Sequence, residues 1–172
     1  ALKYQMPELN TQALHAFGRL MGSSMMLEHA RLASLHQPVL HTHDYSGKRI
    51  DQVEFHPSYH VLMNAALKQG LHGSPWGAGR GAHLARAIGM ILFSQIEAGT
   101  LCPVSMTYSA LPALSNNEAL YKTWAPGLGA RAYDPQFLPY NEKTALTMGM
   151  GMTEKQGGWF VYRICVNISY RM

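Results

Sequence analysis

The chain is poor in charge. Asp, Glu, Lys and Arg make up 14% of its 172 residues, where about 25% is usual for a soluble domain. Hydrophobic residues make up 47%, with eleven Met and nine Tyr. Such a chain buries much of itself or lacks part of its natural covering. Cysteine is scarce: Cys102 and Cys165 make no disulfide framework. The N-terminus, Ala1-Leu2-Lys3-Tyr4-Gln5, has no basic stretch followed by an apolar one, so no secretory leader is visible. The two thiols therefore read as reduced, in a cytoplasmic protein. An initiator Met is also missing, which points to processing or to a piece of something larger. Long apolar runs are absent; Ile88 to Phe93 is the densest and falls far short of the ~18 residues of a membrane span. No five Lys or Arg are consecutive, so the net charge of +4 is diluted over the chain. It favours anionic partners weakly and reads as ordinary surface charge. There is no internal repeat and no low-complexity segment.

Helical signals fill most of the length. Asn10 and Thr11 are N-cap candidates. Leu14, Phe17, Met21, Met25, Leu32 and Leu35 follow at near-helical spacing, giving a helix over about 11–35 broken near Gly22-Ser23-Ser24. Residues 38–55 read as a connecting segment with turn chemistry at His43-Asp44-Tyr45-Ser46-Gly47-Lys48, tied to the core by Val53 and Phe55. Pro57 opens a helix to about residue 69, closed by Gly70. The strongest helix spans about 82–98. Its Leu84, Ile88, Ile91, Leu92, Phe93 and Ile96 cover so much of the circumference that it should lie buried at the centre of a helical layer. Shorter helices follow over about 103–114 and 117–124. From Asp134 to Lys143 the chain is irregular. Ala145 to Met152 then alternates with period two, as a strand does. The fold class is mainly α: a helical domain over 1–143, the start of a β domain over 144–158, and a tail over 159–172.

Four features could carry chemistry. His41, His43, His56 and His60 could hold a metal, but Pro57 puts His56 at a helix edge and no Glu accompanies the pair as in a zinc hydrolase. Capping and turn hydrogen bonds explain them more simply. Gly77-Ala78-Gly79-Arg80-Gly81 opens a helix but lacks the Lys-Ser/Thr of a phosphate loop and follows no strand, so it reads as an interhelical turn. Cys102 has no histidine placed by sequence beside it and reads as a structural thiol. The fourth is Met148 to Gly158. Small residues alternate with Met, so one strand face lets a flat group approach the backbone. Thr153 adds a hydroxyl where the strand ends, and Gly157-Gly158 permits a turn that exposes N–H groups. A planar heteroaromatic ring bearing a phosphate suits that surface; a plain strand followed by a polar turn explains it as well.

Met150-Gly151-Met152-Thr153-Glu154-Lys155-Gln156-Gly157-Gly158 resembles the flavin-contacting signature of acyl-CoA dehydrogenases, in the wording of the AidB-like branch, the DNA-alkylation-response flavoproteins. Further matches run in order: Arg49 to His60, Glu97 to Pro103, Met106-Thr107-Tyr108, Tyr133-Asp134-Pro135 and Leu138-Pro139. The resemblance implies an N-terminal helical domain, a central β domain and a C-terminal four-helix domain. It implies FAD lined by Met150 to Gly158, with Met152 and Thr153 against the isoalloxazine. For the intact protein it implies acyl-CoA as substrate, a possible DNA partner and a homo-oligomer without membrane attachment. His56 and His60 would then be scaffold, with no metal site. Two departures stand out. Trp159-Phe160 replace the Ser-Asp that continues the signature, and 159–172 reads as a shifted frame. The domain that supplies the family's catalytic glutamate, the base that takes the substrate α-proton, has no counterpart here. Little turnover and weak flavin affinity are expected of this chain alone. The rival readings are a His-rich metal-binding helical protein and a basic helical nucleic-acid module.

Overall fold

The structure, a computed structural model, describes residues 9–149. Six α-helices and one two-stranded sheet make up its main elements. Helix α1 (Thr11–Met21) begins where Asn10 accepts from the Ala13 amide at 2.9 Å. It stops at Gly22, and α2 (Ser24–Leu35) restarts under the Ser23 cap, whose hydroxyl accepts from the Met26 amide. Two caps in sequence satisfy the amides a helix start leaves open, so the expected break is real.

Residues 38–55 are more than a connection. They form an antiparallel hairpin, β1 (Val39–His43) and β2 (Arg49–Glu54), with Leu40 opposite Val53 and His41 opposite Gln52. Its turn is held by the Asp44 carboxylate, which accepts from the Ser46 amide at 2.8 Å and the Lys48 amide at 3.0 Å, while Gly47 takes φ +82°. Asp51, at φ +45°, sits in an irregularity between the His41 and His43 pairs. Such a bulge bends and twists the ribbon. The alternating burial that marks a half-buried strand is missing, because both strands lie largely in solvent.

Helix α3 (Pro57–Lys68) carries the centre of the core. Leu62, Met63, Ala66 and Leu67 pack with Met26 of α2 and Phe93 of α4 (Ala82–Ser94). Helix α5 (Leu101–Leu114) joins this core through Val104. A second apolar cluster forms between α5 and α6 (Glu118–Gly129), from Ala110, Leu111, Leu114, Trp124 and Leu128 together with Met148. Helix α6 runs past Pro126 and beyond the expected end at Trp124, because Trp124 and Leu128, four residues apart, both bury on the same side.

Three expectations need correction. Helix α4 is not buried all round: Phe93 is inaccessible, yet Ile91 is 62% exposed and Leu84 is exposed as well. Helix α1 covers one flank and the Ser74–Gly77 turn another; no described element crosses the side carrying Ile91. It also ends at Ser94 rather than near 98. Glu97 turns back, its carboxylate accepting from the Gly99 and Thr100 amides, and this starts α5 instead. Cys102, in the first turn of α5, is exposed rather than packed.

Candidate functional site

The flavin-wall candidates Met150, Gly151, Met152, Thr153, Glu154, Lys155, Gln156, Gly157 and Gly158 lie outside the described residues. The described structure fixes the chain that delivers them. Three anchors hold residues 144–149 against α5, α6 and the loop after α6.

The first anchor is Asp134. Its carboxylate accepts from the Gln136 amide at 3.0 Å and, ten residues on, from the Thr144 amide at 3.1 Å and the Thr144 hydroxyl at 3.3 Å. These donors, led by the Gln136 amide, hold the Asp134 carboxyl below its ordinary value. The second is Gly127 of α6, whose carbonyl accepts from the Leu146 amide at 3.0 Å. A Cβ on Gly127 would come within 2.7 Å of the Leu146 side chain, so glycine there lets the segment lie against the helix. The third is Thr107 of α5, fully buried. Its hydroxyl accepts from the Met148 amide at 3.0 Å and lies 2.8 Å from the Pro103 carbonyl, to which it donates.

The Leu146 and Met148 amides thus turn toward the helices at a two-residue spacing, the period of an extended chain. Residues 145–149 pair with no other strand among the described residues; helix groups occupy that edge instead. Met148 is buried, and the next residue, Gly149, is exposed with no described atom within 4 Å of the place a Cβ would occupy. Met148 is therefore the last described residue packed on the helical body, two residues before the signature begins.

A second polar group lies at the start of α3. His60 Nδ1 is 2.7 Å from the Tyr133 hydroxyl. Burial pushes the His60 imidazole below its ordinary value and raises the Tyr133 phenol well above its own, with Tyr59 and Asp134 adding to the latter. Neutral imidazole and neutral phenol therefore share one hydrogen bond, which ties the loop after α6 to α3.

The four histidines read as a possible metal set go separate ways. His41 bonds Glu54 across the hairpin at 2.7 Å, His43 contacts Thr42, His56 caps α3 through the Ser58 amide, and His60 meets Tyr133. Among the described residues no three His, Cys, Asp or Glu side chains converge as metal ligands would. The glycine-rich stretch opens α4 at Gly81, φ +93°. Just ahead of it, Trp76 folds back to stack on Tyr108 and donates to the Tyr108 carbonyl at 2.8 Å. No helix among the described residues is long and apolar enough to cross a membrane.

Sequence reasoning attached no role to Thr107, Gly127 or Asp134. Thr107 and Asp134 sit inside the short matches to the family signature. A threonine amid the apolar residues of α5 was the available sign, since a buried hydroxyl needs a partner.

Six helices with an extended exit over 144–149 form the N-terminal helical domain of the acyl-CoA dehydrogenase architecture. Two solved structures share it. Caenorhabditis elegans ACDH-11 in complex with C11-CoA superposes at TM-score 0.64 with 21% identity, over 92% of this chain and 31% of that one. The apo form of Bd2924 superposes at TM-score 0.66 with 22% identity, over 92% of this chain and 35% of that one. Within that architecture, residues 1–135 match the family described as the adaptive response protein AidB N-terminal domain, and the chain belongs to that family. It is 42% identical over 148 residues to AidB of Escherichia coli (strain K12), a protein named as an acyl-CoA dehydrogenase. The match covers 84% of this chain and 27% of that relative, so the chain spans about a quarter of the relative's length.

Proposed function

We propose that this chain is the helical wall of an FAD-dependent acyl-CoA dehydrogenase of the DNA-alkylation-response type, and that Met150 to Gly158 line the flavin. The observation that carries this reading is the Thr107–Met148 bond. It fixes the backbone two residues before the signature, and the residue between them, Gly149, is exposed. Among the described residues no atom lies within 4 Å of the position a Gly149 Cβ would take, which leaves room for a flat group beside the chain there. When bound, FAD supplies the hydride acceptor for oxidation of an acyl-CoA thioester at Cα–Cβ. Thr107, Asp134 and Gly127 bind no substrate in this scheme; they set the position of the wall.

The carboxylate bonded to the exit segment is not a free base. The Asp134 carboxylate is committed to the Gln136 and Thr144 amides and Glu97 to those of Gly99 and Thr100. On this reading the 172-residue chain alone turns over little or no acyl-CoA and holds flavin weakly. Acyl-CoA, DNA, the homo-oligomer and the cytoplasm belong to the proposal for the longer protein. The exposed Leu84 and Ile91 of α4 fit a body that continues beyond this piece.

The test is flavin retention after gel filtration. The chain alone should elute nearly free of FAD. A chimera in which it replaces the matching part of Escherichia coli AidB should retain FAD, and Thr107→Val in that chimera should lower retention and cost about 1–3 kcal/mol of stability, the usual penalty for an orphaned buried amide. A flavin-free chimera, or stoichiometric flavin on the chain alone, overturns the reading.

A further inference from the structure

Helix α1 packs along helix α4, and a groove of about 550 Å³ opens between them. Its apolar walls are Leu9 and Leu14 on the α1 side and Ile88 and Leu92 on α4. Ile88 and Leu92 stand four residues apart and so share a face. His15 and Arg19 of α1, also four apart, line the groove and are exposed. Gly18 lies in the α1 wall beside them.

Gly18 has no conformational reason to be glycine. It sits inside α1, away from the left-handed region that Gly47, Gly70 and Gly81 occupy. Among the described atoms a Cβ there would meet only the Leu92 side chain, at 3.6 and 3.7 Å, which is ordinary contact. Glycine weakens a helix interior, so what it supplies here is space: a longer side chain at 18 would stand in the groove. The charge is one-sided as well. Neither α1 nor α4 contains Asp or Glu, and Arg19 forms no ion pair among the described residues. His15 adds an N–H in either tautomer. An aliphatic trough thus carries an unneutralised guanidinium on its rim.

We propose that this groove binds a free fatty acid, its carboxylate on Arg19 and His15 and its chain along Leu14, Ile88 and Leu92. A guanidinium fork matches one planar carboxylate through two parallel hydrogen bonds. A head group bearing several phosphates would need several cations, and the two helices offer the groove a single arginine. Arg86, the other one they carry, donates to the Leu71 carbonyl at 2.6 Å and lies over the Tyr108 ring. From Thr11 to Arg19, α1 rises about 12 Å, so the trough accepts an extended chain of medium length. Its volume falls within the usual range for small-ligand sites. No lining residue belongs to α5, α6 or residues 144–149, so the proposal does not rest on the flavin reading.

Titration of the 172-residue chain with octanoate and decanoate, followed by methyl resonances, tests this, with decyltrimethylammonium as the cationic control. Decanoate should shift Leu14, Ile88 and Leu92 saturably. Each methylene beyond octanoate should tighten binding about twofold, the gain from a half-buried methylene. Decyltrimethylammonium should bind at least about tenfold more weakly than decanoate, and Arg19→Gln should weaken decanoate by a similar factor, the scale of a lost hydrogen bond to a charged group. Gly18→Leu favours the helix and fills the groove, so binding should vanish while the circular dichroism spectrum stays helical. No decanoate binding, equal affinity for the two head groups, or affinity unchanged by either substitution overturns the proposal. So does binding that appears only once residues 1–8 are removed, which assigns the groove to those residues. Shifts of α1 and α4 that follow chain concentration without ligand assign it to a second copy and overturn it equally. Gly18→Leu should leave flavin retention by the chimera unchanged, so the two readings fail separately.

Discussion

The helical body and the hairpin obtain their structure from different sources. In the body, residues three and four apart on α3 put Leu62, Met63, Ala66 and Leu67 on one side, and all four are inaccessible or nearly so. Burial decides the arrangement, and each helix is held by what it covers. In the hairpin, Val39, Leu40, Val53 and Tyr45 are all exposed. No apolar face can select the register there. The backbone does it locally, through the Asp44 turn, Gly47 in the left-handed region and the irregularity at Asp51. One sequence thus specifies shape by packing in one place and by turn chemistry in another.

Removing a core side chain should give the largest effect. Phe93 has no accessible surface and packs where α3, α4 and α5 meet. Phe93→Ala should destabilise the chain by about 3–5 kcal/mol, read as a lower urea midpoint with little change in slope. A cost below about 1 kcal/mol would mean that the body is not held by burial, and the contrast with the hairpin would fail.

Acid should weaken the body by a separate route. His72 is inaccessible, and its Nε2 donates to the Ala130 carbonyl at 2.9 Å while Nδ1 has no partner among the described residues. Burial, and secondarily the nearby Arg131, pushes the imidazole below its ordinary value despite the opposing Ala130 bond. The unfolded chain then takes a proton near pH 6.5 that the folded chain refuses. Stability is full above that value and falls as pH drops through it toward the folded pKa. His60 carries the same sign. His72→Gln keeps a donor for Ala130 and removes the titration. The fall in urea midpoint between pH 7.5 and 5.5 should therefore be smaller in the variant. An identical fall would assign the acid sensitivity elsewhere.

The two regions also differ in how far the sequence disclosed them. Helix positions were legible because apolar spacing and caps agree: Asn10, Ser23 and Pro57 each stand at or beside a real helix start. The body's outer boundary was not. Ile91 and Leu84 gave α4 the pattern of a buried helix, since periodicity records which side chains are apolar and not which neighbours cover them. The hairpin was hidden for the converse reason. Its turn residues at Asp44 to Lys48 were plain, but strands without a buried face show no alternation to detect. For the candidate site, the signature marked 150–158, while the groups that present it came from distant positions. Thr107 to Met148 spans forty-one residues and Asp134 to Thr144 ten. Only folding brings such partners together.

Within the hairpin, backbone and side-chain effects can be separated. Gly47 has φ +82° and no described atom within 4 Å of a Cβ. Gly47→Ala adds no clash and no contact; its only consequence is a left-handed conformation for an L-residue, a cost of about 1 kcal/mol. That cost should appear as lost hydrogen-exchange protection across β1 and β2, with the urea midpoint of the body little changed.

Leu40→Ala should do least. Leu40 faces Val53 across the ladder, yet it is 59% exposed and Val53 is 42% exposed. The pair therefore removes little apolar surface from water. An exposed substitution of this kind changes stability by no more than about 0.5 kcal/mol, against several for Phe93 with the same chemistry of deleting apolar atoms. The comparison turns on this smallest number. If Leu40→Ala cost as much as Gly47→Ala, the hairpin would be held by its cross-strand side chains, and the turn would follow the strands. If it costs less, the ribbon keeps its register from Asp44, Gly47 and Asp51. Its apolar residues are then free of any structural duty within this chain.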